Sequence, residues 1–383
     1  MAGGRERVAV VGCRSYDRAE VSGAVGRAAG LLGGMARFVP RGARALLKAN
    51  LLRPASRESL VLTDGEVVRA TAQLVLAAGG SVAVGDSPAL GTARRNMAAG
   101  GITAALSGLE YETVQPAESR PAGSEAFPAL ELAAEFTAAD VLIDLPKLKT
   151  HVQMAITAAV KNLFGAVVGK RKPQWHLRCG TDRRAFAGML VECCRLSAPA
   201  LTVCDGVVAM QGQGPNSGEP YPLGVIIAAT HPVAADLVFM RLIGFPPAES
   251  PVHAAAREMG YGPKSLDEVE LLGDPVDELA VTDFRRADIS FEMFPGLVGR
   301  TLRRLFVSWP RVEAASCVGC GQCAAVCAAG AITVGSPRDA TAEIDYSKCI
   351  RCFCCHEICP EKAITLKHPL LARIAGWGRK KED

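Results

Sequence analysis

Two hydrophobic rhythms alternate along the first three quarters of the chain. Short apolar runs at Val8–Val11, Arg44–Ala49, 81–86 (SVAVGD), 139–145 (ADVLIDL) and Leu201–Val208 read as buried strands. Between them, apolar residues at helical spacing predict helices over 17–31, 64–78, 183–196 and 233–243, with Thr63 as the N-cap of the second. Gly79 and Gly80 end that helix. Strand and helix in series define an α/β fold, a mainly parallel sheet with helices on both faces. Gly85-Asp86-Ser87-Pro88 and the loop from Gly212 to Gly218 follow strands, and ligands gather at the carboxyl ends of strands in such sheets.

The pattern changes after residue 283. Over 284–310, five arginines (Arg285, Arg286, Arg300, Arg303 and Arg304) face only Asp288 and Glu292, which predicts a basic linker with an amphipathic helix near 296–307. Residues 311–366 form a cysteine-rich module, and 367–383 a short basic tail. The expected organisation is thus an α/β domain over 1–283, the linker, and a small C-terminal cysteine-rich domain.

Composition narrows the function. The 383 residues suit one large and one small domain, and 49% hydrophobic with 21% charged residues excludes a disordered chain. A net charge of +4 and 5% aromatics give no basis for nucleic-acid binding. The opening apolar run is too short for a signal-peptide core, and no apolar stretch of roughly 18 residues predicts a membrane span. The lack of a signal core and of a membrane span points to a cytoplasmic setting, and hence to reduced thiols.

Nine of the 14 cysteines follow residue 316. Cys317, Cys320, Cys323 and Cys327 stand in a C-x2-C-x2-C-x3-C run, and Cys349, Cys352, Cys355 and Cys359 repeat it 32 residues on, followed by Pro360. This is the spacing of two-cluster bacterial ferredoxins. Three closely spaced thiolates wrap one 4Fe–4S cube, while the fourth points away to the other. One cluster is expected on Cys317, Cys320, Cys323 and Cys359, the second on Cys349, Cys352, Cys355 and Cys327. Zinc favours separated C-x2-C pairs and fits this triplet-plus-one pattern poorly. Cys354 lies outside the repeat and reads as a spectator.

Ile143-Asp144-Leu145-Pro146-Lys147-Leu148-Lys149-Thr150-His151, followed by Val160-Lys161-Asn162-Leu163-Phe164-Gly165, resembles the hallmark of the domain of unknown function 362 family. The 85–88 and 212–215 loops resemble its other two motifs, and CIRCFCCHEICP (349–360) is typical of its ferredoxin modules. The resemblance implies an α/β iron–sulfur protein without an assigned reaction. Departures fall at Lys48-Ala49-Asn50, where Lys-Pro-Asn is common, at Asp64, and at Gln211, where glutamate is usual.

From Leu145 to Thr181 there is no acidic residue, yet Lys147, Lys149, Lys161, Lys170, Arg171, Lys172 and Arg178 occur there with His151 and His176. Such lysines suit a phosphate or carboxylate. Lys147, Lys161 and Asn162, with the N–H-rich loop at Gly212 and Gly214, are the expected binding groups. Lys149, His151 and Asp86 are the expected catalytic groups, His151 as a proton carrier. His176 reads as a surface or structural residue. Gly165 to Lys170 fails as a P-loop, since three residues rather than four separate its glycines and no hydroxyl follows the lysine. The leading expectation is an oxidoreductase that draws electrons from a donor protein or reductase through two 4Fe–4S clusters to an anionic small molecule. An electron carrier docking an acidic partner protein is the second reading, and a non-redox enzyme with structural clusters the third. A flavin held without a readable motif stays open.

Overall fold

The computed structural model describes residues 5–169, 171–180, 182–287, 308–335 and 341–368. The basic helix expected near 296–307 and nearly all of the tail lie outside these residues.

The apolar runs pair into one large mixed sheet. Its spine runs Val269–Gly273, Glu6–Gly12, Val225–Ala229, Leu201–Gln211, Val141–Leu145, Arg44–Ala49, Ser81–Gly85, Glu112–Val114. Most ladders are parallel; Val225–Ala229 runs antiparallel to both neighbours. Strands buried on both faces are continuous apolar runs because helices cover each side. One face packs against Arg18–Leu31 and Gly65–Ala77, the other against Arg183–Ser197, Pro232–Leu242 and Pro251–Glu258.

The helix over Gly65–Ala77 is capped by Asp64, whose side chain accepts from Glu66 N at 2.9 Å, and not by Thr63. The Thr63 hydroxyl is taken: it donates to the Leu145 carbonyl at 2.6 Å and accepts from Asn50 N at 2.9 Å.

Pro146 breaks the strand ending at Leu145, and a second strand, Lys147–His151, follows. It lies parallel to Leu201–Gln211 and forms a hairpin with Ala155–Thr157. The charged Lys-Leu-Lys-Thr-His segment is therefore a strand buried at all five positions.

The C-terminal module is built from two small ladders, Trp309–Val312 with Ile364–Lys367 and Ile332–Val334 with Ala342–Ile344, and short helical turns at Gln322–Ala325 and Cys354–Ile358. Asn216 of the α/β domain donates to the Cys359 carbonyl at 2.6 Å, and Lys362 of the module donates to the Gly218 carbonyl at 3.3 Å. A ring nitrogen of His356 lies 3.3 Å from the Gln213 carbonyl.

Candidate functional site

Two small cavities in the module separate its cysteines into crossed quartets. Cys317, Cys320, Cys323 and Cys359 line one; Cys327, Cys349, Cys352 and Cys355 line the other. Each quartet draws three thiols from one motif and one from the other. Backbone N–H groups of Ala331, Ala342 and Ala363 donate to Cys327, Cys317 and Cys359 Sγ at 3.2, 3.4 and 3.3 Å. Such bonds stabilise a negatively charged cluster. Among the described residues no group of three or more His, Cys, Asp or Glu is gathered closely enough for a single metal ion. Thiols spread around a cavity fit a cube, whose own irons and sulfides fill the centre. Each quartet has two buried cysteines, but only the first has an exposed one, Cys320, so the first quartet is the outer and the second the inner.

A larger cavity of about 430 Å³ lies where the α/β domain meets the module. The α/β side supplies Lys48, Asp86, Lys149, Lys161, Asn162 and Lys172; the module supplies Ala325, Val326, Cys354, Glu357 and Ile358. Cys354 also lines the inner quartet's cavity. Cys354, outside the repeat, thus borders both cavities.

The floor is a polar chain. Lys48 Nζ lies 3.1 Å from Asp86 Oδ1 and donates to Asn162 Oδ1 at 2.8 Å; Asn162 Nδ2 donates to Asp144 Oδ1 at 2.8 Å. Asp86 is fixed by the N–H groups of Leu51 and Ser87, both at 2.9 Å. Gly165 closes over this chain, and a Cβ there would sit 2.1 Å from Asp86 Oδ1 and 2.3 Å from Lys48 Cε. Only glycine leaves the pair its place. Burial raises the Asp144 carboxyl well above the usual range, against the pull of Lys48 and Asn162.

Lys149 is 1% exposed and donates to the Val61 carbonyl at 2.8 Å. Burial, with Lys161, Lys147 and Lys48 nearby, pushes its ammonium pKa well down. Lys172 donates to the carbonyls of Ser87, at 2.7 Å, and Val167, and burial lowers it to about 7. The Lys161 ammonium makes no hydrogen bond or ion pair with the described residues. Burial lowers its pKa, and Glu357 opposes the shift.

His151 does not border this cavity directly. Its Nδ1 accepts from Gln153 and Met154 N at 3.0 and 3.2 Å, which places the ring proton on Nε2. Nε2 faces Glu357 Oε1 at 3.1 Å, outside good hydrogen-bond alignment. Burial and Lys161 lower His151 to about 4, so it is neutral at pH 7. A ring with one nitrogen bound to backbone and the other proton-bearing cannot take up a proton at neutral pH. His151 is thus not the expected proton carrier but a fixed donor aimed at the module. Burial would raise Glu357, but the Lys161 charge and the Nε2–H of neutral His151 pointing at it keep it below the usual carboxylate range. The acid-free basic segment finds its counter-charge on the other domain.

Three expected binding residues lie elsewhere. Lys147 Nζ is 2.9 Å from Asp205 Oδ2 and also contacts the Tyr16 hydroxyl, so it is internally neutralised and outside the cavity lining. Gly212 and Gly214 are tied to Thr150 and the backbone: Thr150 Oγ1 donates to the Gly212 carbonyl at 2.7 Å, and Gly214 N donates to Thr150 Oγ1 at 3.2 Å. Their loop cradles the module, and only its Pro215 reaches the cavity. Gln211 accepts from Arg285 N at 2.9 Å, away from the cavity. His176, expected as a surface or structural residue, is not at the surface: it is buried, lines the cavity and packs on Phe186 with ring centroids 4.3 Å apart.

These features define a class: an α/β protein with a two-cluster ferredoxin module closed onto the carboxyl side of its sheet. A 4Fe–4S dicluster domain matches residues 316–363, and the family described as domain of unknown function (DUF362) matches residues 45–241. The chain belongs to this family and is an iron–sulfur protein carrying 4Fe–4S clusters. Over 300 residues it is 38% identical to a protein of Synechocystis sp. named as thylakoid-associated, a match covering 78% of this chain and 93% of that one. Similarity to solved structures is remote. The lactate racemase apoprotein of Thermoanaerobacterium thermosaccharolyticum aligns at 9% identity and a TM-score of 0.36, covering 54% of this chain and 51% of that one. A Thermotoga maritima protein aligns at 10% and 0.31, covering 53% of each. The chain thus spans about half the length of these structures. No helix among the described residues is long and apolar enough to cross a membrane.

Proposed function

We propose that the protein is an iron–sulfur oxidoreductase that delivers electrons to an anionic small molecule bound between its two domains. One observation carries this reading: Cys354 is at once a wall of the inner cysteine quartet and a wall of the lysine-lined cavity. Electron delivery needs the two sites to be neighbours, and here they share a residue.

When bound, the two clusters supply one-electron steps in series. The outer would be held by Cys317, Cys320, Cys323 and Cys359, the inner by Cys327, Cys349, Cys352 and Cys355. An electron-donor protein would dock at the outer side, where Cys320 and Val318 are exposed. Lys161 binds the substrate anion, Lys149 and Lys172 add positive potential, and Asn162 with the Lys48–Asp86 pair shapes the floor. The cavity is shielded by Phe164, Val168, Val326 and Ile358, which lowers the local dielectric and strengthens each charge contact. Proton supply to the product falls to Lys172, whose ammonium sits near neutrality, rather than to His151. In this reading the protein works in a reducing cytoplasm, where cysteines outside the clusters stay as thiols.

The carrier reading, in which a basic face docks an acidic protein, loses support from burial. Lys147 and Lys149 are each 1% exposed and His151 is fully buried, so they offer no face to a partner.

The test is anaerobic purification followed by mass spectrometry of small molecules released on denaturation, in wild type and Lys161→Ala. An anion present in the first and depleted in the second is expected. Equal retention in both, with weakened binding of a protein partner by the variant, would contradict the reading.

A further inference from the structure

The charge inventory of the interdomain cavity is lopsided. Four lysines line it, Lys48, Lys149, Lys161 and Lys172, against two carboxylates, Asp86 and Glu357. Lys48 is committed to Asp86 at 3.1 Å. Lys149 and Lys172 bond only to carbonyl oxygens, which carry no formal charge. Lys161 has no bonded partner among the described residues. Among these side chains the excess reaches two positive charges once a bound dianion holds all four lysines protonated, against the burial that otherwise lowers Lys149 and Lys172. A half-buried cation facing a partly apolar cavity without a partner is costly, and a ligand that supplies the missing charge recovers part of that cost.

Polar Asn50, Ser87, Gln115, Thr157, Asn162 and His176 take part of the remaining lining, and one wall is apolar. Leu52, Leu90, Phe164 and Val168 from the α/β domain face Val326 and Ile358 from the module. A volume of about 430 Å³ exceeds what a bare inorganic anion needs and lies in the range of small-molecule sites.

Resting on the functional reading above, we propose that the substrate is an amphipathic dianion: a doubly charged head, as in a phosphate monoester or a compact dicarboxylate, joined to an apolar body. The head lies against Lys161 and the neighbouring lysines. The body lies against Phe164, Val326 and Ile358, which puts it beside the inner quartet. A singly charged head leaves one lysine unbalanced, and a head without a body leaves the apolar wall wet.

The test uses anaerobically purified full-length protein and three probes titrated at pH 7: phenyl phosphate, its monoanionic methyl ester, and inorganic phosphate. With a second phosphate pKa near 6, phenyl phosphate is mostly dianionic there. The expected order is phenyl phosphate tightest, with at least a tenfold preference over each of the others. Lys161→Ala and Lys161→Gln should each erase most of the preference over the methyl ester, with iron content unchanged. Equal affinity for phenyl phosphate and its methyl ester, both weakened in Lys161→Gln, would overturn the dianion while leaving an anion site in place. Binding of all three probes that ignores Lys161 would overturn the anion site itself.

Discussion

Glu357 and His151 meet at 3.1 Å across the boundary between the two domains. The histidine belongs to a basic segment with no acid of its own, and the glutamate rides on a short helix between two cluster cysteines. The counter-charge of the interdomain cavity thus arrives with the iron–sulfur module. Glu357→Gln keeps the shape and removes the charge, so the cavity becomes more positive. Phenyl phosphate is expected to bind roughly tenfold tighter, about one pKa unit of interaction. Weaker binding in a titration would show that Glu357 organises the site instead of competing with the ligand.

Acid should destabilise the protein through two buried rings. Burial lowers both His151 and His176 from 6.5 to about 4. Between those values the unfolded chain binds protons that the folded one refuses, so stability is full above pH 6.5 and falls as pH drops towards 4. Each ring contributes a slope of at most about 1.4 kcal/mol per pH unit. Urea unfolding of His176→Gln between pH 6.5 and 5, above the range of ordinary carboxylates, should show a shallower slope than wild type. An unchanged slope would mean that His176 is already protonated in the folded state.

Lys147 and Lys161 should fail differently. Lys147→Ala strips the partner from fully buried Asp205, a loss on the order of 3–5 kcal/mol in unfolding free energy. Lys161→Ala should leave unfolding nearly unchanged and lose about 10- to 150-fold in anion affinity, the range of one charge-assisted bond. Denaturant melts paired with phenyl phosphate titrations separate the two; the reverse pattern would exchange their assignments.

The crossed quartets predict which cluster each cysteine serves. Cys359→Ser lies in the second motif yet should damage the outer cluster, and Cys327→Ser in the first should damage the inner. Each should cut iron from about eight atoms per chain to about four. Cys194→Ser, buried beside Tyr261 in the α/β domain, should leave iron unchanged. Paramagnetic resonance of the reduced variants checks the pairing, and loss of the same signal in both serine variants would refute it.

The strands over 44–49, 81–86 and 139–145 were legible because they are apolar on both faces, and the helices because of their spacing. Lys147–His151 was not, since burying two lysines and a histidine in a strand depends on partners far along the chain: Asp205, the Val61 carbonyl and Glu357. The quartets were legible because cluster geometry is written in local cysteine spacing. The use of the 212–218 loop was hidden for the opposite reason. Its N–H groups suit a ligand as well as a docking cradle, and only contacts such as Asn216 with Cys359 distinguish them. Cys354 looked idle because its role is a position between two cavities, which no spacing encodes.

Electron delivery to the cavity is tested most directly by single-turnover reoxidation. Clusters reduced with dithionite and freed of excess reductant are mixed anaerobically with the anion that co-purifies, and the iron–sulfur absorbance is followed with product analysis. The account predicts rapid reoxidation, one product formed per two electrons withdrawn, and a markedly slower phase in Lys161→Ala. Clusters that stay reduced in the presence of bound anion, yet are reoxidised by a protein acceptor, would contradict it.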